Sequence, residues 1–256
     1  MLDNFLFSGF ITGGVVRSLE LALLYGRWQM LVRGMWLTIR ISLGAVLLGL
    51  LIGSIIVSCK LNDIKGLWGI PKKILRFIAF LYLAIIRGTP SVTQLLIVSG
   101  TIFAGVRGAG LWIGIVALGI NSGAYVAEII RAGIMSIDKG QREAGLSLGF
   151  TRAQTMRYII LPQAVKNIIP TFVNEFIVLI KETAIVGFVG VMDLTRVAQQ
   201  IVTRTFDLMP IFVSGIMYLT LISILTMLLG ILERKLRAGD MDTPVLKKRR
   251  AKFTGR

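Results

Sequence analysis

Long apolar runs alternate with short polar segments along this chain, and the runs, more than any two-residue alternation, set its architecture. A bilayer core takes about 20 helical residues, and the sequence has five stretches on that scale, at 35–58, 74–105, 111–131, 167–190 and 208–232. The first carries Gly44, Gly49 and Gly53, small residues of the kind that let membrane helices approach closely, and one charge, Arg40, near enough to its start to reach the interface. The second is interrupted by Arg87-Gly88-Thr89-Pro90. From Ile74 to Arg87 is only about 20 Å of helix, too short for a core of about 30 Å. The expectation is therefore one long helix kinked at Gly88 and Pro90, with a re-entrant pair of short helices as the alternative. The third run turns polar in its second half, with Asn121, Ser122, Tyr125, Glu128 and Arg131, and the fourth contains Asn174, Glu175, Lys181, Glu182 and Thr183.

The polar gaps orient the runs. Segment 59–76 carries Lys60, Lys65, Lys72, Lys73 and Arg76 against Asp63, whereas 106–110 and 191–207 are nearly neutral or balanced. With 132–166 and the tail also basic, the positive-inside bias predicts the N-terminus outside and the C-terminus in the cytoplasm. The layout is then an N-terminal segment 1–34, a membrane domain 35–235 and a basic cytoplasmic tail 236–256. Residues 1–34 read either as an amphipathic segment at the membrane surface or as a partly ordered tail, and lack the order of a cleavable signal peptide.

Composition agrees with the runs. Only 16% of the 256 residues are charged, and the mean hydropathy is +0.78. The net charge of +16 sits in the gaps without interleaved aromatic residues, which sets nucleic acid aside. A single cysteine, Cys59, and no histidine exclude an intrachain disulfide and argue against a Cys/His metal site; no cofactor is expected. No G-x4-G-K-[ST] loop, H-E-x-x-H or Ser/His pair occurs, so the chain is expected to be a non-catalytic component that draws its energy from a partner. No internal inverted repeat of the secondary-transporter kind is evident.

Between the third and fourth runs, residues 136–150 fit a short amphipathic helix that must lie in water. Asp138 or Ser136 suits its N-cap, Gly149 suits a left-handed C-terminus, and Pro162 marks where the next helix bends or begins. A soluble engine could hold such a helix and move the spans attached to both its ends. An ordinary surface helix is the plain alternative.

The spacing Glu143-Ala144-Gly145, three residues, Gly149, nine residues, Ile159-Ile160-Leu161-Pro162 resembles the E-A-A-x3-G-x9-I-x-L-P loop of ATP-binding-cassette importer permeases. Gly145 replaces the second alanine of that pattern. Arg87-Gly88-Thr89-Pro90 with Gln94 resembles the R-G-T-P-x3-Q of the polar amino acid branch. Ala124-Tyr125-Val126-Ala127-Glu128 with Arg131 resembles A-Y-x-A-E-x2-R, leading into Ile137-Asp138-Lys139-Gly140-Gln141. Leu179-Ile180-Lys181-Glu182-Thr183 resembles L-x-K-D-T, with glutamate for aspartate. The likeness covers about residues 33–235.

The resemblance implies an all-α membrane protein of the type I importer permease fold, with five transmembrane helices and a cytoplasmic coupling helix. It implies as partners a cytoplasmic ATPase dimer, a second permease subunit (this chain or a paralogue) and an external solute-binding protein. The setting would be a bacterial plasma (inner) membrane, and the cargo a small polar amino acid. Asp138, Gly140, Arg142, Glu143, Ala144, Gly145, Gly149, Leu161 and Pro162 would then form the ATPase-coupling segment.

Polar groups inside apolar spans are costly, which makes each a candidate for the transport path. These are Gln94, Asn121, Tyr125, Glu128, Asn174, Lys181, Glu182 and Thr183, while Arg87, Gly88, Thr89 and Pro90 form a kink or gate. Together they offer an anion and a cation partner for a zwitterion. Internal ion pairing of Arg87 with Glu128 or Glu182, and interface anchoring by Lys181, are structural alternatives. Two rival functions remain: an ion-gradient-driven carrier, in which segment 138–162 has no task, and a membrane scaffold that recruits soluble partners through it.

Overall fold

The computed structural model describes residues 27–60 and 72–241. The described residues form helices α1 (Arg27–Lys60), α2 (Lys72–Gly88), α3 (Ser91–Thr101), α4 (Gly110–Met135), α5 (Lys139–Ser147), α6 (Arg152–Thr155), α7 (Leu161–Glu182), α8 (Leu194–Thr205) and α9 (Met209–Met241). A π-helical turn at Met156–Ile160 joins α6 to α7, and a 3-10 segment at Thr183–Val189 follows α7. Most of the expected N-terminal segment, the centre of the first basic linker and most of the basic tail lie outside the described residues.

Helices α1 and α4 run parallel and pack along their length. Glycines on each face side chains of the other: Gly44 lies under Ile115 and Gly49 under Ser122, while Gly114 receives Ile41 and Gly119 receives Leu48. A Cβ on Gly53 would stand 2.8 Å from the Ala127 backbone nitrogen, and one on Gly123 would meet Ile52 and the Tyr82 hydroxyl. The helices interlock because those positions have no side chain, which is how membrane helices gain dispersion contacts that lipid cannot supply. The core around them includes Ile41, Ala45, Leu95, Leu118, Leu179 and Val186.

Helix α1 begins earlier than the expected 35, and residues 27–34 are its first turns. Its 34 residues make about 50 Å of helix, longer than the core of about 30 Å. The excess is used for packing: Leu31 joins Leu194, Val197, Ala198 and Ile201 of α8, with Val213 and Met217 of α9 alongside. Helix α8 occupies the stretch expected as a neutral external connection. Its buried Leu194, Val197, Ala198 and Ile201 recur at helical spacing, and Arg196, Gln199, Thr203 and Arg204 are exposed.

The second run is not the one continuous, kinked helix expected. Helices α2 and α3 are bent by 110° at the break between them. Pro90 is extended (φ −64°, ψ 138°) and starts α3 afresh. Proline both removes an N–H and keeps the preceding residue out of the helical region, so the turn is a full break and not a bend.

Among the described residues, three helices are long and apolar enough to cross a membrane: Arg27–Cys59, Gly110–Met135 and Met209–Leu236. The bent α2–α3 pair would make a fourth. Helix α7, part of the expected span 167–190, begins at Leu161 and has 22 residues, about 33 Å, so length is not what separates it from those three. Asn167, Thr171 and Asn174 recur on it one turn apart and are all exposed, so one stripe is polar.

The glycine contacts predict a specific asymmetry. Gly53→Leu should lower the thermal unfolding midpoint of the purified protein in detergent, at a cost of about 1–3 kcal/mol for overpacking. Gly100→Ala, at a helical position with no atom within 4 Å, should leave the midpoint unchanged or slightly raised.

Candidate functional site

A cavity of about 450 Å³ opens between α2, α4 and α7, lined by Arg87, Tyr125, Glu128, Asn167, Thr171, Asn174 and Glu175, with Ala132, Gly133 and Ser136 at its α5 end. The polar stripe of α7 forms one wall and the second half of α4 the other. Glu175 accepts a hydrogen bond from the Ser122 hydroxyl at 2.8 Å, which ties the two walls together. Near α5, Asn167 donates its side-chain amide to Ser136 at 2.9 Å. Arg131 pairs with Glu128, one of its contacts measuring 3.0 Å. The cavity thus presents one guanidinium, from Arg87, and two carboxylates, each held by a neighbour. That set suits a small zwitterion with further polar groups.

The expected path residues divide. Tyr125, Glu128 and Asn174 line the cavity, together with Arg87. Gln94 and Asn121 do not line it, and they bond to each other: Asn121 Nδ2 donates to Gln94 Oε1 at 2.9 Å. The Gln94 amide donates to the Ile86 and Thr89 carbonyls and the Thr89 hydroxyl, at 2.8, 3.1 and 2.8 Å. Gln94 therefore satisfies the backbone groups that the break frees, which in a membrane must find a partner inside the protein. Thr89 also donates to the Ile85 carbonyl at 2.8 Å, and Gly88 has open space around its Cα. Lys181 and Glu182 end α7, about 9 Å or more beyond Glu175 along the axis, and Thr183 opens the 3-10 segment that follows. There the buried Thr183 hydroxyl donates to the Ile180 carbonyl.

Asn167 and Thr171 also belong to the cavity, as does Ser136, which the sequence offers only as a helix cap. The sequence signal for Asn167 and Thr171 is the one-turn recurrence at 163, 167, 171 and 174, which straddles the start of the apolar run at 167.

The segment 136–162 forms a compact bracket at the cavity's end. The Asp138 carboxylate caps α5, accepting from the Gly140 N–H at 2.7 Å. The helix closes with Gly149 at φ +86°, the Gly149 N–H bonded to the Leu146 carbonyl and the Phe150 N–H to the Gly145 carbonyl. That is a Schellman closure, and it requires the left-handed conformation that glycine adopts without strain. Thr151 and Gln154 then form a reciprocal capping box that starts α6.

Gly145 is the one buried residue of α5. A Cβ there would meet Thr155 Cγ2 and Ile159 Cδ1, both at 2.8 Å. The departure from the alanine pattern therefore lies on the inner face, where α5 rests on the turn leading into α7. Arg142, Glu143 and Ala144 are exposed, as are Leu146, Leu148 (77%) and Phe150. Gln163 reaches back from α7 to Gln141 at 3.2 Å. Pro162 lies one residue into α7, just after the π turn, whose wider register accommodates a residue without an N–H. Leu161, beside it, is exposed at 41%.

Residues 66–238 match the family described as binding-protein-dependent transport system inner membrane components. The chain belongs to that family. It is 40% identical over 214 residues to the arginine transport system permease protein ArtQ of Bacillus subtilis (strain 168), covering 82% of this chain and 94% of that one. It is 35% identical over 207 residues to the glutamine transport system permease protein GlnP of Escherichia coli (strain K12), covering 79% and 89%. A crystal structure of an amino acid ABC transporter with histidines superposes with a TM-score of 0.75 at 37% identity, covering 86% of this chain and 98% of that chain. The permease is thus a multi-pass inner-membrane protein with the helical fold of ABC importer permeases.

The α5 geometry carries a measurable consequence. Gly149→Val should cost about 1–2 kcal/mol from a left-handed β-branched residue and speed amide exchange across 139–150. Gly145→Leu should do the same by lifting α5 from Thr155 and Ile159. Leu148→Ala, at an exposed position, should leave exchange unchanged.

Proposed function

We propose that this permease forms, with a second permease subunit, the membrane path of an ATP-driven importer for a polar amino acid. The observation that carries the reading is continuous solid structure from α5 to the cavity wall. Helix α5 seats on Thr155 and Ile159 through Gly145. The same chain segment continues through the π turn into α7, whose Asn167, Thr171, Asn174 and Glu175 line the cavity. A force applied to the exposed face of α5 reaches the cavity without crossing a flexible joint.

In this reading a cytoplasmic ATPase dimer grips α5, with Arg142, Glu143, Leu146 and Leu148 as the contact face and Asp138, Gly140 and Gly149 fixing its ends. The basic segments lie in the cytoplasm, the N-terminus is outside, and α7 completes a set of five crossings with its polar stripe turned from lipid. An external solute-binding protein delivers cargo to the neutral side. In the cavity Glu128 or Glu175 takes the cargo's ammonium group and Arg87 its carboxylate. Gln94 and Asn121 hold the α2–α3 break, which acts as the hinge beside that site.

The test is ATP-dependent uptake of a panel of labelled amino acids by the complete complex in vesicles. Glu143→Lys should abolish uptake while membrane insertion and the unfolding midpoint persist. Uptake indifferent to ATP and to this substitution would move the assignment to an ion-driven carrier, and ATPase docking without uptake to a scaffold.

Arg87→Gln and Glu128→Gln should raise the half-saturating cargo concentration about tenfold or more, as loss of a charge-assisted hydrogen bond worth about 1.5–3 kcal/mol requires. Thr183→Val, remote from the cavity, should not change it.

A further inference from the structure

Among the described residues, the cavity and the coupling bracket leave one fully buried carboxylate without a task. Asp193 is fully buried (0%), in the short connection between the 3-10 segment and α8. Its carboxylate accepts from the backbone N–H groups of Thr195 and Arg196, each at 3.0 Å. The Tyr218 hydroxyl of α9 donates to the same carboxylate at 3.4 Å and lies 3.2 Å from the Thr195 hydroxyl. Burial pushes the Asp193 carboxyl above its ordinary range, against the pull of those donors. An asparagine or serine would cap α8 as well without burying a charge, so capping alone does not account for an aspartate.

The surroundings add α1. The Leu194 N–H donates to the buried Thr38 hydroxyl at 3.3 Å. Gly34 brings the α1 backbone so close that a Cβ would stand 3.0 Å from Leu194 Cα and 3.1 Å from the Asp193 carbonyl oxygen. Gly187 of the 3-10 segment abuts the same carboxylate, where a Cβ would stand 3.5 Å from Asp193 Oδ1. Four elements therefore meet on one residue, and two of them, α1 and α9, are among the three long apolar helices.

We propose that Asp193 and Tyr218 form a rigid polar joint that makes α8 a lever, so that a load on its exposed face moves α1 and α9 as one body. This rests on the importer reading, in which α8 faces the side from which cargo arrives. Arg196, Gln199, Thr203 and Arg204 form the face that receives the load. Asp193 and Tyr218 are positioning residues here, acting through the helices they join and touching no cargo.

The test uses the complete complex in lipid nanodiscs and measures ATP hydrolysis with and without cargo-loaded binding protein. Tyr218→Phe removes one hydroxyl, Asp193→Asn the charge, and Thr38→Val the arm to α1. Each should reduce the ratio of stimulated to basal hydrolysis about fivefold or more, the size of an ordinary coupling energy. Basal hydrolysis and the unfolding midpoint of Tyr218→Phe should stay at wild-type values. A ratio unchanged in Tyr218→Phe and Thr38→Val overturns the lever. So does a parallel fall of basal rate, stimulated rate and midpoint, which marks a purely structural joint. A wild-type complex without stimulation or uptake refutes the importer reading itself, a result distinct from loss of the ratio in the variants alone.

Discussion

The parallel contact between α1 and α4 is the constraint from which the other placements follow. Water expels apolar side chains into a soluble core, but lipid gives no such drive between helices, so close backbone approach must supply the attraction. Gly44, Gly49 and Gly53 on one helix, with Gly114, Gly119 and Gly123 on the other, provide it by removing the side chains that would hold the helices apart. Because two parallel helices need a return path, α2 and α3 must lie against the pair. Tyr82 of α2 donates to the Ile120 carbonyl at 2.6 Å, and Gln94 of α3 bonds to Asn121 one residue further on. The break is therefore pinned to the middle of α4, and Arg87, just before it, lines the cavity with Tyr125 and Glu128.

Within this frame polar side chains do two different jobs. Gln94, Asn121, Thr89 and Tyr82 spend their hydrogen-bonding capacity on backbone carbonyls or on one another. In a hydrocarbon setting that is a requirement before it is a function. Asn167, Thr171 and Asn174 instead turn an exposed stripe to the cavity, which is why α7 is too polar to stand as a lipid-surrounded span and yet long enough to cross. A polar residue in an apolar run is thus an ambiguous sign: local backbone geometry decides whether it mends a break or faces the path.

That ambiguity separates what the sequence made legible from what it did not. The glycines of the first run and the short helix around Glu143 could be read because each depends on spacing along one element. Asp138 as a cap and Gly149 as a left-handed closure follow from local rules and occur as expected. The 110° break was under-read as a kink, because Pro90 fixes only that the helix stops and the partner that sets the new direction, Asn121, lies 27 residues away from Gln94. Gln94's bonds across the break depend on that same distant partner. Helix α8 was missed despite a clear four-residue apolar pattern, because balanced charge around Asp193 and Asp207 resembles an exterior loop; its burial depends on the overhang of α1.

The bracket at 136–162 shows why the fixed spacing of that segment has mechanical meaning. A helix transmits force only if its ends do not yield, and α5 is closed at both, by Asp138 and by the turn at Gly149. It must also be seated on what it moves, and seating at Gly145 requires the absence of a large side chain opposite Thr155 and Ile159. Nine residues separate Gly149 from Ile159, so the closure, the seat and the entry to α7 are set by one interval. The π turn at Met156–Ile160 then absorbs the register change that Pro162 imposes, leaving α6 and α7 one stiff element instead of two hinged ones. Lengthening the interval by one residue would rotate Ile159 by about 100° around the helix and take it off Gly145. The spacing follows from rigid attachment as such.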